Sequence, residues 1–146
     1  MNSGAASSPF QRQVIKARHD LRNPLAHILG FSEMLAEHAA KLNLEDLRAD
    51  SLAMNTIGEQ ILSAVNQALD PVRVENGQSD LPRLHEQLRA LSAQILHLTD
   101  GATQKFGRLD DDVIINDLAR IAGAAQKLAE LAELALPSLS SDSRGG

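Results

Sequence analysis

An all-α fold, an up-down-up-down four-helix bundle built from two antiparallel hairpins, is what this sequence predicts, on three observations. Its hydrophobic residues are almost all Leu, Ala, Ile and Val, with no Trp or Tyr and three Phe. That composition favours helices and leaves few β-branched or aromatic runs for strands. The apolar residues also recur at steps of three and four through four separate stretches, which places them on one face of each helix. Between those stretches stand residues that start and stop helices.

Residues 1–8 are small and polar and predict a disordered lead-in without the charged and apolar regions of a signal peptide. Ser8-Pro9 predicts a helix start, Ser as cap and Pro in the first turn. The first helix then runs to about Ala40, with Val14, Ala17, Leu21, Leu25, Ile28, Phe31 and Leu35 inward. Asn43 and Asp46 have the spacing of a capping box, so a second helix is expected to carry Leu44, Leu47, Met54, Ile57, Ile61 and Val65 inward and to stop before Asp70-Pro71. Residues 71–80, with Glu75-Asn76-Gly77 as their turn, read as a linker. Asp80 and Pro82 open a third helix whose seam is Leu84, Leu88, Leu91, Ile95, Leu98 and Ala102. Gly107 ends it, and the acidic run from Asp110 to Asp112 caps the next, where the helix dipole favours negative charge. The fourth helix carries Ile114, Leu118, Ile121, Ala125, Leu128, Ala132 and Ala135 and is expected to stop at Pro137, leaving 138–146 as a flexible tail. The organisation is thus one hairpin over 9–70 and a second over 81–137 completing the same bundle.

Composition limits the function. The formal charge of −5 argues against nucleic acid as the main partner. No apolar run approaches the roughly 20 residues that cross a bilayer, so no direct membrane insertion is expected. Without cysteine there is no disulfide framework, thiolate nucleophile or cysteine metal site, which suits a reducing cytoplasm. The remaining His, Asp and Glu show no metal-ligand spacing. Met34 and Met54 read as core filler.

One stretch carries chemistry: Arg18-His19-Asp20-Leu21-Arg22-Asn23-Pro24-Leu25. At about 100° per residue, His19 lies roughly 200° from the seam residue Leu21 and is expected to face outward, with Asn23 one turn on. Pro24 has no N–H, so the carbonyl of Asp20 loses its helical partner and a kink is expected. Arg12, Lys16, Arg18 and Arg22 surround the imidazole and would suit a phosphorylated or acidic partner.

This stretch, continued by Ile28-Leu29-Gly30-Phe31-Ser32-Glu33-Met34-Leu35, resembles the phosphoacceptor box of the dimerization and histidine-phosphotransfer domain of sensor histidine kinases. The likeness covers Pro9 to Asp70. It implies that His19 takes a phosphoryl group on Nε2, that Asp20 holds the Nδ1 proton, and that Asn23 orients water for hydrolysis of a partner's phosphoryl group. Lys16, Arg18 and Arg22 are then candidate contacts to the partner or to phosphate, with no metal in this chain and Mg²⁺ expected in the partner. A shift of 67 residues places Leu21-Arg22 on Leu88-Arg89 and Ile28-Leu29 on Ile95-Leu96; in the second helix of each hairpin a shift of 66 aligns Leu52-Ala53 with Leu118-Ala119. This is the pattern of a repeat whose second copy has Glu86 where His19 would be, and it implies a monomeric pseudo-dimer.

Nothing resembling a nucleotide-binding loop follows the first hairpin, so the chain is expected not to phosphorylate itself. The expected function is phosphotransfer between His19 and the aspartate of a response-regulator receiver domain, with a kinase ATP-binding domain acting in trans. The alternatives are a phosphatase of the receiver through Asp20 and Asn23, and a bundle that only couples or dimerizes.

Overall fold

The computed structural model describes residues 8–145, with side chains through Leu139. The predicted lead-in, apart from Ser8, lies outside the described residues. Five helices follow in order: α1 (Pro9–Lys41), α2 (Glu45–Ala68), α3 (Pro71–Glu75), α4 (Leu81–Phe106) and α5 (Asp112–Gly145), with a 3-10 turn at Gly107–Leu109. No strand occurs among the described residues. The long helices alternate in direction: α1 packs on α2 and α5, and α4 on α5 and α2. All four share one hydrophobic core, running from Val14 and Leu21 through Met54 and Ile61 to Leu88, Ile95, Ile121 and Leu128.

The ends are set by local hydrogen bonds. Ser8 accepts from the Gln11 amide, and the Gln11 side chain accepts from the Ser8 amide, a full capping box. The box expected at Asn43 and Asp46 does not form. Asn43 takes a left-handed conformation, φ 59°, so that its N–H reaches the Ala40 carbonyl and the Leu44 N–H reaches that of Ala39. Asn43 therefore terminates α1 in a Schellman turn instead of starting α2, since a left-handed backbone suits Asn better than most residues. Asp111 caps α5 by accepting from the Ile114 amide, and the same carboxylate holds His38 Nε2 at 3.0 Å, fastening the far end of α1 to the start of α5.

Two expected boundaries differ. The 71–80 segment is not wholly irregular: Asp70 accepts from the amides of Val72 and Arg73 and starts one helical turn, α3, which buries Val74. Glu75 then takes hydrogen bonds from Ser8 Oγ at 2.7 Å and Gln11 Nε2 at 3.2 Å. The turn at Gly77, φ 71°, is as expected. The fourth long helix passes through Pro137 to Gly145. An interior proline costs about 3 kcal/mol, but Leu136 and Leu139 are both buried, and at about 1.5–3 kcal/mol each their burial offsets it.

Some expected core positions move as well. In α4 the buried residues are Leu81, Leu84, Leu88, Ser92, Ile95, Thr99 and Ala102, while Leu91 and Leu98 are only half-buried. Phe31, Leu44 and Ala135 are half-buried too. Met54 is buried but Met34 is exposed.

A single register relates the two hairpins. Every buried residue of α4 lies 67 positions after a buried residue of α1, from Val14 and Leu81 to Leu35 and Ala102. The relation continues into the second helices, where Leu47, Met54, Ile61 and Val65 match Ile114, Ile121, Leu128 and Ala132. The 66-residue shift expected there is thus out of phase, for it sets exposed Leu52 against buried Leu118. Polar contacts repeat as well: Arg22 bonds Asn66 and Arg89 bonds Glu133, and Ser32 and Thr99 each donate to a leucine carbonyl three residues back. Gly58 lets α1 and α2 approach closely, since a Cβ there would sit 3.0 Å from Leu29 Cδ2.

The register gives a direct test. Leu118→Ala should cost about 2–5 kcal/mol and Leu52→Ala less than about 1 kcal/mol in urea unfolding; equal costs would contradict it. Asp117 is 4% exposed and its Oδ2 has no partner. Burial, the largest effect, pushes its carboxyl above the ordinary range, against a smaller opposing effect of Arg120. Stability from this group is complete below its unfolded pKa and declines as pH rises through the raised folded value. Asp117→Asn should therefore unfold at higher urea than wild type at neutral pH, with the two curves converging in acid.

Candidate functional site

The site lies on the solvent face of α1, where the burial of Leu21, Pro24 and Leu25 fixes the helix's rotation. The His19 side chain is 73% exposed. Its Nδ1 is 3.7 Å from Asp20 Oδ1, and Nε2 has no partner among the described residues. At 3.7 Å the carboxylate is close enough to favour a proton on Nδ1 but too far for a hydrogen bond. The other oxygen of Asp20 accepts from Lys16 Nζ at 2.8 Å. The Lys16 ammonium is the main reason the Asp20 carboxyl sits below its usual range, with His19 a lesser one. Thus the expected Asp20–imidazole bond is not formed here, because Lys16, one turn earlier on the same face, holds the carboxylate.

Asn23 is exposed one turn after His19, and Pro24 is buried. The helix continues through Pro24, which leaves the Asp20 carbonyl without its usual amide donor. The expected cationic ring is rearranged by contacts with α2. Arg18 is half-buried and its Nη1 donates to the Leu69 carbonyl at 3.4 Å, while Arg22 Nε donates to Asn66 Oδ1 at 2.9 Å. Lys16, Arg18 and Arg22 thus all have partners inside the chain.

Beside Asp20 and Asn23 a groove of 620 Å³ runs between α1 and α5. The α1 wall adds Pro24, His27 and Phe31; the α5 wall is Arg120, Gly123, Ala124, Lys127 and Leu131. The Arg120 guanidinium lies 5.2 Å from the centre of the Phe31 ring, a cation–π distance. Sequence reasoning did not find Arg120 and Lys127, about 100 residues from His19 and in no local motif; the 67-residue register, which turns that face of α5 toward α1, is the signal that could have. No cluster of His, Asp and Glu among the described residues could hold a metal ion, and no helix there is long and apolar enough to cross a membrane.

Residues 11–77 match the family described as the His Kinase A (phospho-acceptor) domain. The first hairpin of this chain belongs to that family. His19, Asp20 and Asn23 all fall within the matched stretch. The chain is also similar to an uncharacterized sensor-like histidine kinase of Rhizobium meliloti, 31% identical over 121 residues, which is 74% of this chain and 23% of that protein. Probable histidine kinase 3 of Oryza sativa is 28% identical over 68% of the chain and 9% of its own length. The cell-division control histidine kinase PdhS of Brucella anthropi is 34% identical over 52% of the chain and 7% of its length. The chain spans less than a quarter of each of these relatives. No solved structure matches it significantly.

Removing the Lys16 ammonium should release Asp20. In a carbon-detected titration of Lys16→Ala, the Asp20 carboxyl should move upward toward its ordinary value of 3.8. An unchanged titration would mean that Lys16 does not hold it in solution.

Proposed function

We propose that this chain is a phosphotransfer module of two-component signalling, passing a phosphoryl group between His19 and the aspartate of a response-regulator receiver domain. The observation that carries this reading is the exposed imidazole, with Nε2 free, within a phosphoacceptor-family stretch. A neutral imidazole is a competent nucleophile near pH 7. In the transfer, Nε2 bonds to phosphorus as the P–O bond of the receiver's acyl phosphate breaks and its carboxylate leaves. The Nδ1 proton stays on the ring, and Asp20, by turning from Lys16, offsets the charge that develops there. Mg²⁺ belongs to the receiver's aspartate pocket, where it neutralises the transferring group.

The shared core of the two hairpins and their common register support a monomeric pseudo-dimer whose second copy has lost the acceptor. A kinase ATP-binding domain acting in trans, or a phosphorylated receiver, would load His19, and both place the chain in the cytoplasm. The exposed Asn23 beside the groove favours one second activity, hydrolysis of a docked receiver's phosphoryl group with Asn23 orienting the water.

The test is incubation with phosphate-labelled receiver domains. Wild type should acquire acid-labile, base-stable label, and His19→Gln should acquire none. Asn23→Ala should still be labelled but should slow loss of the receiver's own phosphate by about 10²-fold or more. A wild-type chain that never carries label, yet hastens that loss, would replace the carrier reading with the phosphatase.

A further inference from the structure

Two grooves of this bundle are related by the 67-residue register, and only one of them is charged. On the charged side the α5 wall presents Arg120 and Lys127 across the groove from Asp20, Asn23 and Phe31, with Arg120 against Phe31, twelve residues along α1 from His19. The positions 67 earlier on α2 are Ala53 and Gln60, and those 67 after Asp20 and Asn23 on α4 are Gln87 and Ala90. The cavity found on that side is smaller, 400 Å³, and is lined by Ile57, Ala93, Gln94, His97 and Leu98. Packing explains why the core repeats; it does not require the surface to differ.

The cations of the charged groove are also free of ion pairs, although Arg120 lies over the Phe31 ring. Among the described residues neither Arg120 nor Lys127 forms an ion pair, whereas Lys16 is held by Asp20, Arg22 by Asn66 and Arg18 by the Leu69 carbonyl. Arg120 and Lys127 are seven residues apart, so they share a face of α5 and stand about 10.5 Å apart along its axis. Pro24 and Phe31 of the α1 wall and Ala124 and Leu131 of the α5 wall give the groove an apolar floor. A protein helix is about 10 Å across. An amphipathic helix with its apolar stripe on this floor would bring carboxylates two turns apart to the two cations. On a chain of net charge −5, this local positive wall is a selective feature for such a partner.

We infer that Arg120 and Lys127 of the second hairpin are specificity-determining contacts of the His19 site, receiving the acidic edge of a receiver helix seated in the α1/α5 groove, and that the matching α2/α4 face takes no receiver. The inference rests on the phosphotransfer reading. It gives the second hairpin a part in the site: without an acceptor of its own, it supplies the charged wall for the acceptor on the first.

The experiment uses a panel of receiver domains loaded with labelled acetyl phosphate, the fastest donor to wild type being carried forward. Transfer to His19 is measured across receiver concentrations for wild type, Arg120→Glu/Lys127→Glu, the milder Arg120→Gln/Lys127→Gln, and Ala53→Glu/Gln60→Glu, with helix content and melting temperature checked for each. The charge reversal should raise the half-saturating receiver concentration about tenfold or more, the glutamine pair about threefold, with the rate at saturation within about twofold of wild type. Rising salt should weaken wild-type transfer more than that of the glutamine pair. The α2 pair should behave as wild type. An unchanged half-saturation for both α5 pairs, or an equal rise for the α2 pair, overturns the inference while phosphotransfer stands. Absence of label on wild type from every receiver overturns the phosphotransfer reading and this inference with it.

Discussion

The rotation of α1 about its own axis is the constraint on which the site depends. Leu21, Leu25 and Ile28 have no exposed surface, and each contributes about 1.5–3 kcal/mol by staying out of water. Turning the helix by one residue would expose several of them together and carry the imidazole toward the core. No single contact of His19 competes with that. Its outward position is therefore a consequence of leucines and isoleucines that take no part in the chemistry.

The second hairpin serves the first in two ways. It completes the core, so that α1 is covered on both flanks by α2 and α5, and through His38 and Asp111 it fastens the far end of α1. Its surface is under weaker constraint than its interior, since exposed residues change at little cost in stability. The interior follows one register through both hairpins, while the outer faces differ: His19, Asp20 and Asn23 correspond in that register to Glu86, Gln87 and Ala90. A scaffold with near twofold repetition thus carries the candidate site on one side only.

Much of this was legible in the sequence, and the failures share a cause. The helices, the Ser8 and Asp80 caps, the Gly77 turn and the outward face of His19 follow from bonds and spacings within a turn or two. In α4, Leu91 and Ser92 are adjacent, so a preference for leucine points to Leu91 as the seam while the phase of the facing helices buries Ser92 instead. Pro137 signals a stop by its local effect, whereas the buried Leu136 and Leu139 keep the helix going. Asn43 fits a cap and a left-handed turn equally well, and only the path of the chain from α1 to α2 chooses between them.

Local spacing alone settles the all-α class, the punctuation of the long helices and the exposure of the imidazole, because each depends on residues a few positions apart. Tertiary structure decided which cations remain available beside that imidazole. Long basic side chains have many rotamers and take partners from whichever helix lies near; Arg22 finds one 44 residues away and Arg18 one 51 residues away. The groove and its α5 wall exist only once the two hairpins are packed together, so no local pattern could have announced them.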